Sequence, residues 1–113
     1  MNKTPVDFIH LHNHSEYSLL DGTTRFSDHD GKPSELLKGL AHAGTRALAL
    51  TDHGNLYGAF EFYTQCNAVG IKPIVGCEMY LAKGSRFDRG GSQKENCHLT
   101  VLARSFEGYQ NLM

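Results

Sequence analysis

Arg46-Ala47-Leu48-Ala49-Leu50-Thr51-Asp52-His53-Gly54 reads as a strand that ends on reactive side chains. The run from Arg46 to Thr51 is apolar and nearly continuous, which suits a strand covered on both faces, as in parallel sheets. Gly54 permits a tight turn directly after it, and a helical pattern follows. Strand, polar turn and helix in succession make the repeating unit of an α/β fold.

The pattern extends in both directions. Residues 7–11 read as an earlier strand, residues 72–81 hold a third around Ile74 and Val75, and His98-Leu99-Thr100-Val101-Leu102-Ala103 reads as a fourth. Ser34, after Pro33, is the expected N-cap of a first helix, with Leu36, Leu37, Leu40 and Ala43 at helical spacing and Gly44 as its stop. Asn55 is the expected N-cap of a second. Its apolar stripe is Ala59, Phe62, Tyr63, Cys66 and Val69, and Gly70 ends it. Ser105 opens a last helix running to Met113. Residues 23–32 and 83–96 read as loops. The order β-α-β-α-β-loop-β-α predicts an α/β fold with a parallel sheet or barrel. Four strands do not close a barrel, which commonly needs about eight, so the chain is expected to be part of a larger domain.

Bulk properties exclude several classes. With 113 residues, 40% of them hydrophobic, the chain is one domain at most, and a formal net charge of -1 lacks the basic excess of a nucleic-acid-binding module. No apolar run is long enough to span a membrane. Met1-Asn2-Lys3-Thr4-Pro5 carries no signal-peptide core. Cys66, Cys77 and Cys97 show no C-x-x-C spacing, which fits a reduced, cytoplasmic setting. All three read as structural.

The chemistry lies in the histidines and carboxylates. In His12-Asn13-His14 the two imidazoles share one face of an extended chain and can reach one ion. His10 has the same parity, so it is expected one layer deeper. An H-x-H alone is equally met as half-exposed strand histidines. Its position sharpens it, because it falls past one apolar strand while His53 falls past another, and the C-terminal edge of a parallel sheet is where sites are built. Asp52 suits either a turn or a second-layer partner that fixes a histidine tautomer. Glu78, in Gly76-Cys77-Glu78, stands in an otherwise apolar strand, where a carboxylate is costly unless it is paired or bound to a cation. Asp21, in Leu20-Asp21-Gly22, reads as a plain turn residue. His98 precedes its strand, which in a parallel sheet puts it at the wrong end. His29 and His42 read as surface residues. Mixed imidazole and carboxylate ligands suit zinc, manganese or iron, and ions held close together suit phosphoester hydrolysis.

Longer motifs carry a resemblance. Phe8-Ile9-His10-Leu11-His12-Asn13-His14-Ser15-Glu16-Tyr17-Ser18-Leu19-Leu20-Asp21-Gly22 closely resembles the opening of the alpha subunits of bacterial DNA polymerase III. Thr51-Asp52-His53-Gly54-Asn55-Leu56-Tyr57-Gly58-Ala59-Phe60-Glu61-Phe62-Tyr63, Gly70-Ile71-Lys72-Pro73-Ile74-Val75-Gly76-Cys77-Glu78 and the His98 strand resemble that family's next three motifs. The region concerned is the PHP (polymerase and histidinol phosphatase) domain. The resemblance implies that residues 1–113 are the N-terminal portion of a distorted (β/α)7 PHP barrel, incomplete in this chain. It implies metal-ligand roles for His12, His14, Asp21, His53, Glu78 and His98, holding up to three zinc or manganese ions. Asp21 and His98 enter on that ground alone. It further implies magnesium-dependent DNA synthesis elsewhere in the full protein, with DNA, the sliding clamp and other replicase subunits as partners. Residues 26–33 are longer and more polar than the family's usual lead into the first helix.

Three readings compete. The first is part of a replicative polymerase, whose metal site either proofreads as a 3′-5′ exonuclease or only stabilises. The second is a stand-alone PHP phosphatase acting on a small phosphomonoester. The third, an amidohydrolase, wants a metal-bridging lysine after a later strand, and no lysine here stands in a comparable place.

Overall fold

The computed structural model describes residues 8–87 and 96–113. Asp7 and residues 88–95 of the expected loop lie outside the described residues. The elements are α1 (Glu35–His42), β1 (Ala47–Leu50), α2 (Ala59–Ala68), β2 (Lys72–Leu81), β3 (Cys97–Leu102) and α3 (Phe106–Leu112). The architecture is mixed α/β, with one three-stranded sheet in the order β1-β2-β3.

β1 is buried at every position, as its apolar run requires. It pairs in parallel with β2, Ala47 opposite Lys72 through Leu50 opposite Val75. α2 makes the crossover between them and packs on both strands. β3 departs from expectation: it runs antiparallel to β2, Gly76 opposite Leu102 through Leu81 opposite Cys97. No helix lies between β2 and β3 among the described residues. A parallel return needs a long crossover, usually helical, whereas a loop suffices for an antiparallel one.

The expected first strand is also different. Residues 8–14 run beside β1 without forming a strand of their own. Ala49 N–H donates to His10 O at 2.9 Å and Thr51 N–H to Asn13 O at 2.8 Å. The Asn13 side chain adds bonds to Ala49 O and His10 O.

Helix ends follow local chemistry. Ser34 Oγ accepts from Leu37 N–H at the start of α1, with Glu35 in the first turn and His42 in the last, each on the favourable side of the helix dipole. α2 starts at Ala59 after Gly58, later than expected. Asn55 instead accepts from Tyr57 N–H and donates to Tyr17 O and His53 O, closing a turn before the helix. Ser105 caps α3 through Gly108 N–H.

The core joins Leu37 of α1, Leu48 and Leu50 of β1, Phe62 and Cys66 of α2, Ile71 and Phe26. Phe26 falls in the segment expected to be a loop, yet its ring lies 4.8 Å from that of Phe62. Fully burying such side chains contributes roughly 1.5–3 kcal/mol each. Leu36, Ala43 and Tyr63, expected on apolar stripes, are exposed. Cys66 and Cys77 are buried and Cys97 is exposed. Burial pushes the Cys66 thiol up to about 12, so it stays protonated and inert. No helix among the described residues is long and apolar enough to cross a membrane.

Candidate metal centre

Pairing between β1 and β2 continues past β1. Glu78 N–H donates to Asp52 O at 2.9 Å and Gly54 N–H to Glu78 O at 3.0 Å, so His53 and Glu78 stand opposite one another. Gly54 has φ +59, and a Cβ there would lie 2.9 Å from the Tyr80 ring. The positive φ favours glycine here, and any larger residue would also press on the Tyr80 ring.

Glu78 is 6% exposed and is the hub of the cluster. Its Oε2 accepts from His12 Nε2 at 2.6 Å and His14 Nε2 at 2.5 Å. Its Oε1 accepts from His98 Nδ1 at 2.9 Å. An ionised carboxylate only accepts, so each facing nitrogen carries its proton. Burial pushes the Glu78 carboxyl up, but the hydrogen bonds from His12, His14 and His98 outweigh it and hold the group down at about 2.

Asp21 lies at the exposed side. Its Oδ2 accepts from His53 Nε2 at 2.9 Å and lies 3.3 Å from His14 Nδ1. The hydrogen bond from His53 lowers its pKa, against a smaller opposing effect of partial desolvation.

The residues thus converge as three overlapping groups: His12, His14 and Glu78; His14, Asp21 and His53; and His53, Glu78 and His98. Within each, the potential ligand atoms lie within 4.8 Å of one another. His53 Nδ1 is buried without a hydrogen-bond partner and sits 3.9 Å from Glu78 Oε2. A buried ring nitrogen without a partner, facing carboxylate and imidazole, is what a divalent cation would satisfy. The residues present fit such ions.

The positions assigned on sequence grounds fall into place unequally. His12, His14, His53 and Glu78 meet as the sheet-edge argument requires. His98 also reaches the cluster, because the reversed direction of β3 puts its start at the C-terminal edge of β1 and β2. Asp21 belongs to the turn after Ser18 yet faces His53. His10 is not a deeper layer: it is exposed, with its ring 4.7 Å from Phe8. Asp52 meets no histidine among the described residues, and its carboxylate accepts instead from Ser15 N–H, Ser15 Oγ and Ser18 Oγ. Those two serines are buried, and sequence reasoning missed them. Ser15 directly follows His14, which was the available signal.

A cleft of about 410 Å³ opens over Asp21, His53 and His98, walled by Leu19, Leu20 and Tyr80. Leu19 is 88% exposed and Leu20 fully so.

The sequence pattern of the PHP domain matches residues 10–113. The chain is 49% identical over 113 residues to the DNA polymerase III subunit alpha of Thermus aquaticus, covering 96% of this chain and 9% of that protein. It is 47% identical over 110 residues to the subunit of the same name from Treponema pallidum, covering 96% and 9%. With that of Mycobacterium tuberculosis the identity is 41% over 119 residues, covering 93% and 10%. The chain therefore spans a small part of the length of these relatives.

Proposed function

The chain belongs to the PHP domain family, and from that premise we propose that its clustered histidines and carboxylates form a multinuclear metal centre for phosphoester hydrolysis. His12, His14, Asp21, His53, Glu78 and His98 are the ligands in this reading. The observation that carries it is Glu78: a buried carboxylate that gathers three imidazoles, beside a fourth imidazole whose buried Nδ1 has no partner. When bound, two or three zinc or manganese ions supply the charge that steadies a phosphoester and makes hydroxide accessible near neutral pH. With ions present, the nitrogens that now donate to carboxylates would present lone pairs instead. The exposed leucines and Tyr80 bound the cleft where the organic part of a substrate would lie.

In the whole protein, this region is the N-terminal portion of a PHP barrel in a DNA polymerase III alpha subunit. Nucleotide addition, with its magnesium, takes place elsewhere in that protein, and 3′-5′ exonuclease proofreading is the activity assigned to the centre. DNA, the sliding clamp and other replicase subunits are its partners, in the cytoplasm. Identity to polymerase subunits over 96% of the chain supports this above a stand-alone phosphatase.

Elemental analysis of the full natural protein tests the centre. Wild type is expected to carry two or three equivalents of zinc or manganese, and His12→Ala with His14→Ala to lose most of them. Equal metal content in both proteins overturns the reading.

A further inference from the structure

We infer that Asp52 is a positioning residue that locks the 15–22 turn onto the end of β1, so that Asp21 and His53 can share one divalent cation. The inference rests on the metal-centre reading above.

Asp52 is 1% exposed, and among the described residues the donors to its carboxylate come from that turn. Ser15 N–H reaches Oδ1 at 2.6 Å, Ser15 Oγ reaches Oδ2 at 2.7 Å and Ser18 Oγ reaches Oδ1 at 2.7 Å. Ser18 Oγ also accepts from His53 N–H at 3.1 Å, so one hydroxyl joins the turn, Asp52 and the histidine. The turn then closes on itself: Asp21 N–H donates to Ser18 O at 3.1 Å and Gly22 N–H to Ser18 O at 2.8 Å. Gly22 belongs to the same lock, because a Cβ there would fall 1.8 Å from Ser15 O. Two hydrogen bonds in series therefore connect Asp52 to the backbone of Asp21.

Glu78 and His98 are held differently, by the pairing of β2 with β3, and the His53 backbone is also held by its bridge to Glu78. Loss of the Asp52 carboxylate should accordingly act unevenly. The His14, Asp21 and His53 group should open, while the His53, Glu78 and His98 group keeps its geometry. A residue that only stabilised the fold would weaken every ion in step with the melting temperature.

The test uses the full natural protein stripped with chelator and titrated with manganese, with bound metal counted after equilibrium dialysis. Melting curves of the metal-free proteins are recorded alongside. Asp52→Ala is expected to weaken one ion by about 10- to 100-fold and to retain the rest. Asp52→Asn should recover most of that affinity, since an amide oxygen of the same shape still accepts from Ser15 N–H and Ser18 Oγ. Ser18→Ala should reproduce the alanine effect. If Asp52→Ala does not fold, the contrast between Asp52→Asn and Ser18→Ala decides the matter. Unchanged affinities in Asp52→Ala or Ser18→Ala overturn the inference, as does parallel loss of all ions with the melting temperature. Wild-type protein that binds no manganese or zinc defeats the metal-centre reading itself, and this inference with it.

Discussion

His98 Nδ1 donates to Glu78 Oε1 at 2.9 Å across two strands that run in opposite directions. Glu78 stands opposite Thr100 and His98 opposite Tyr80, so the two side chains are diagonal neighbours on one face of the pair. The link ties β3 to a carboxylate that also answers to the segment before β1.

Glu78→Gln should therefore disturb metal and fold together. The amide cannot balance cations, and its NH2 would face imidazole N–H groups. The variant should contain fewer metal equivalents, and its stability in saturating zinc or manganese should fall by about 2 kcal/mol or more, the scale of binding linkage at 100-fold excess over Kd. An ordinary surface change stays within about ±0.5 kcal/mol. Thermal melts with and without chelator measure the difference; a shift inside the surface range speaks against the role.

Acid should weaken the metal-free protein through the same group. The Glu78 carboxyl lies at about 2 in the folded chain, below its ordinary value of 4.5. A depressed folded pKa contributes stability that is fully present above the unfolded value and lost as pH falls through the folded one. Denaturant midpoints of chelated protein should thus decline from about pH 4.5 toward pH 2. Glu78→Gln should flatten that part of the curve. An equal slope in both proteins would assign the acid sensitivity to other carboxylates.

Phe26→Ala should behave as a core truncation although the residue lies outside any helix or strand. Phe26 is 2% exposed against Phe62. Its loss should cost about 3–5 kcal/mol, as for other buried aromatics. Urea unfolding measures this; a change below 1 kcal/mol, roughly the size of an average substitution, would mean the segment packs only loosely.

His53→Ala in the full natural protein should separate two activities. Template-directed synthesis is expected to persist in a short assay, because magnesium-dependent nucleotide addition wants carboxylate ligands and this cluster is mostly imidazole. Any manganese- or zinc-dependent 3′-5′ degradation should disappear. The enzyme must first be shown folded by circular dichroism. Lost synthesis with retained degradation would reverse the division of labour.

What could be read in advance followed from short-range rules. The approach of His53 to the edge follows from an apolar strand that stops at Thr51, and the pairing of His12 with His14 follows from their parity. The direction of β3 is not legible in its own residues, because direction depends on the connection and not on the strand. The absence of helical periodicity in residues 83–96 was the usable sign of an antiparallel return. Asp21 could not be placed from its Asp-Gly dipeptide, since its aim is set by Ser18 and Asp52, 31 residues further along the chain than Asp21 itself. Asn55 has the side-chain chemistry of a helix cap, and the same chemistry serves the turn that precedes the helix. Phe26, a single aromatic in a polar run, has no period to reveal its burial.

β2 pairs with β1 through Lys72–Val75 and with β3 through Gly76–Leu81, and at Glu78 the bridge to His53 adds a partner on the second edge. Amide protons at its centre should consequently be among the last to exchange with solvent deuterium, later than those of β3 or of the turn that bears Asp21. Glu78 rides on that slow strand, while Asp21 rides on a surface turn. Local opening of that turn would then leave in place the carboxylate around which the histidines gather.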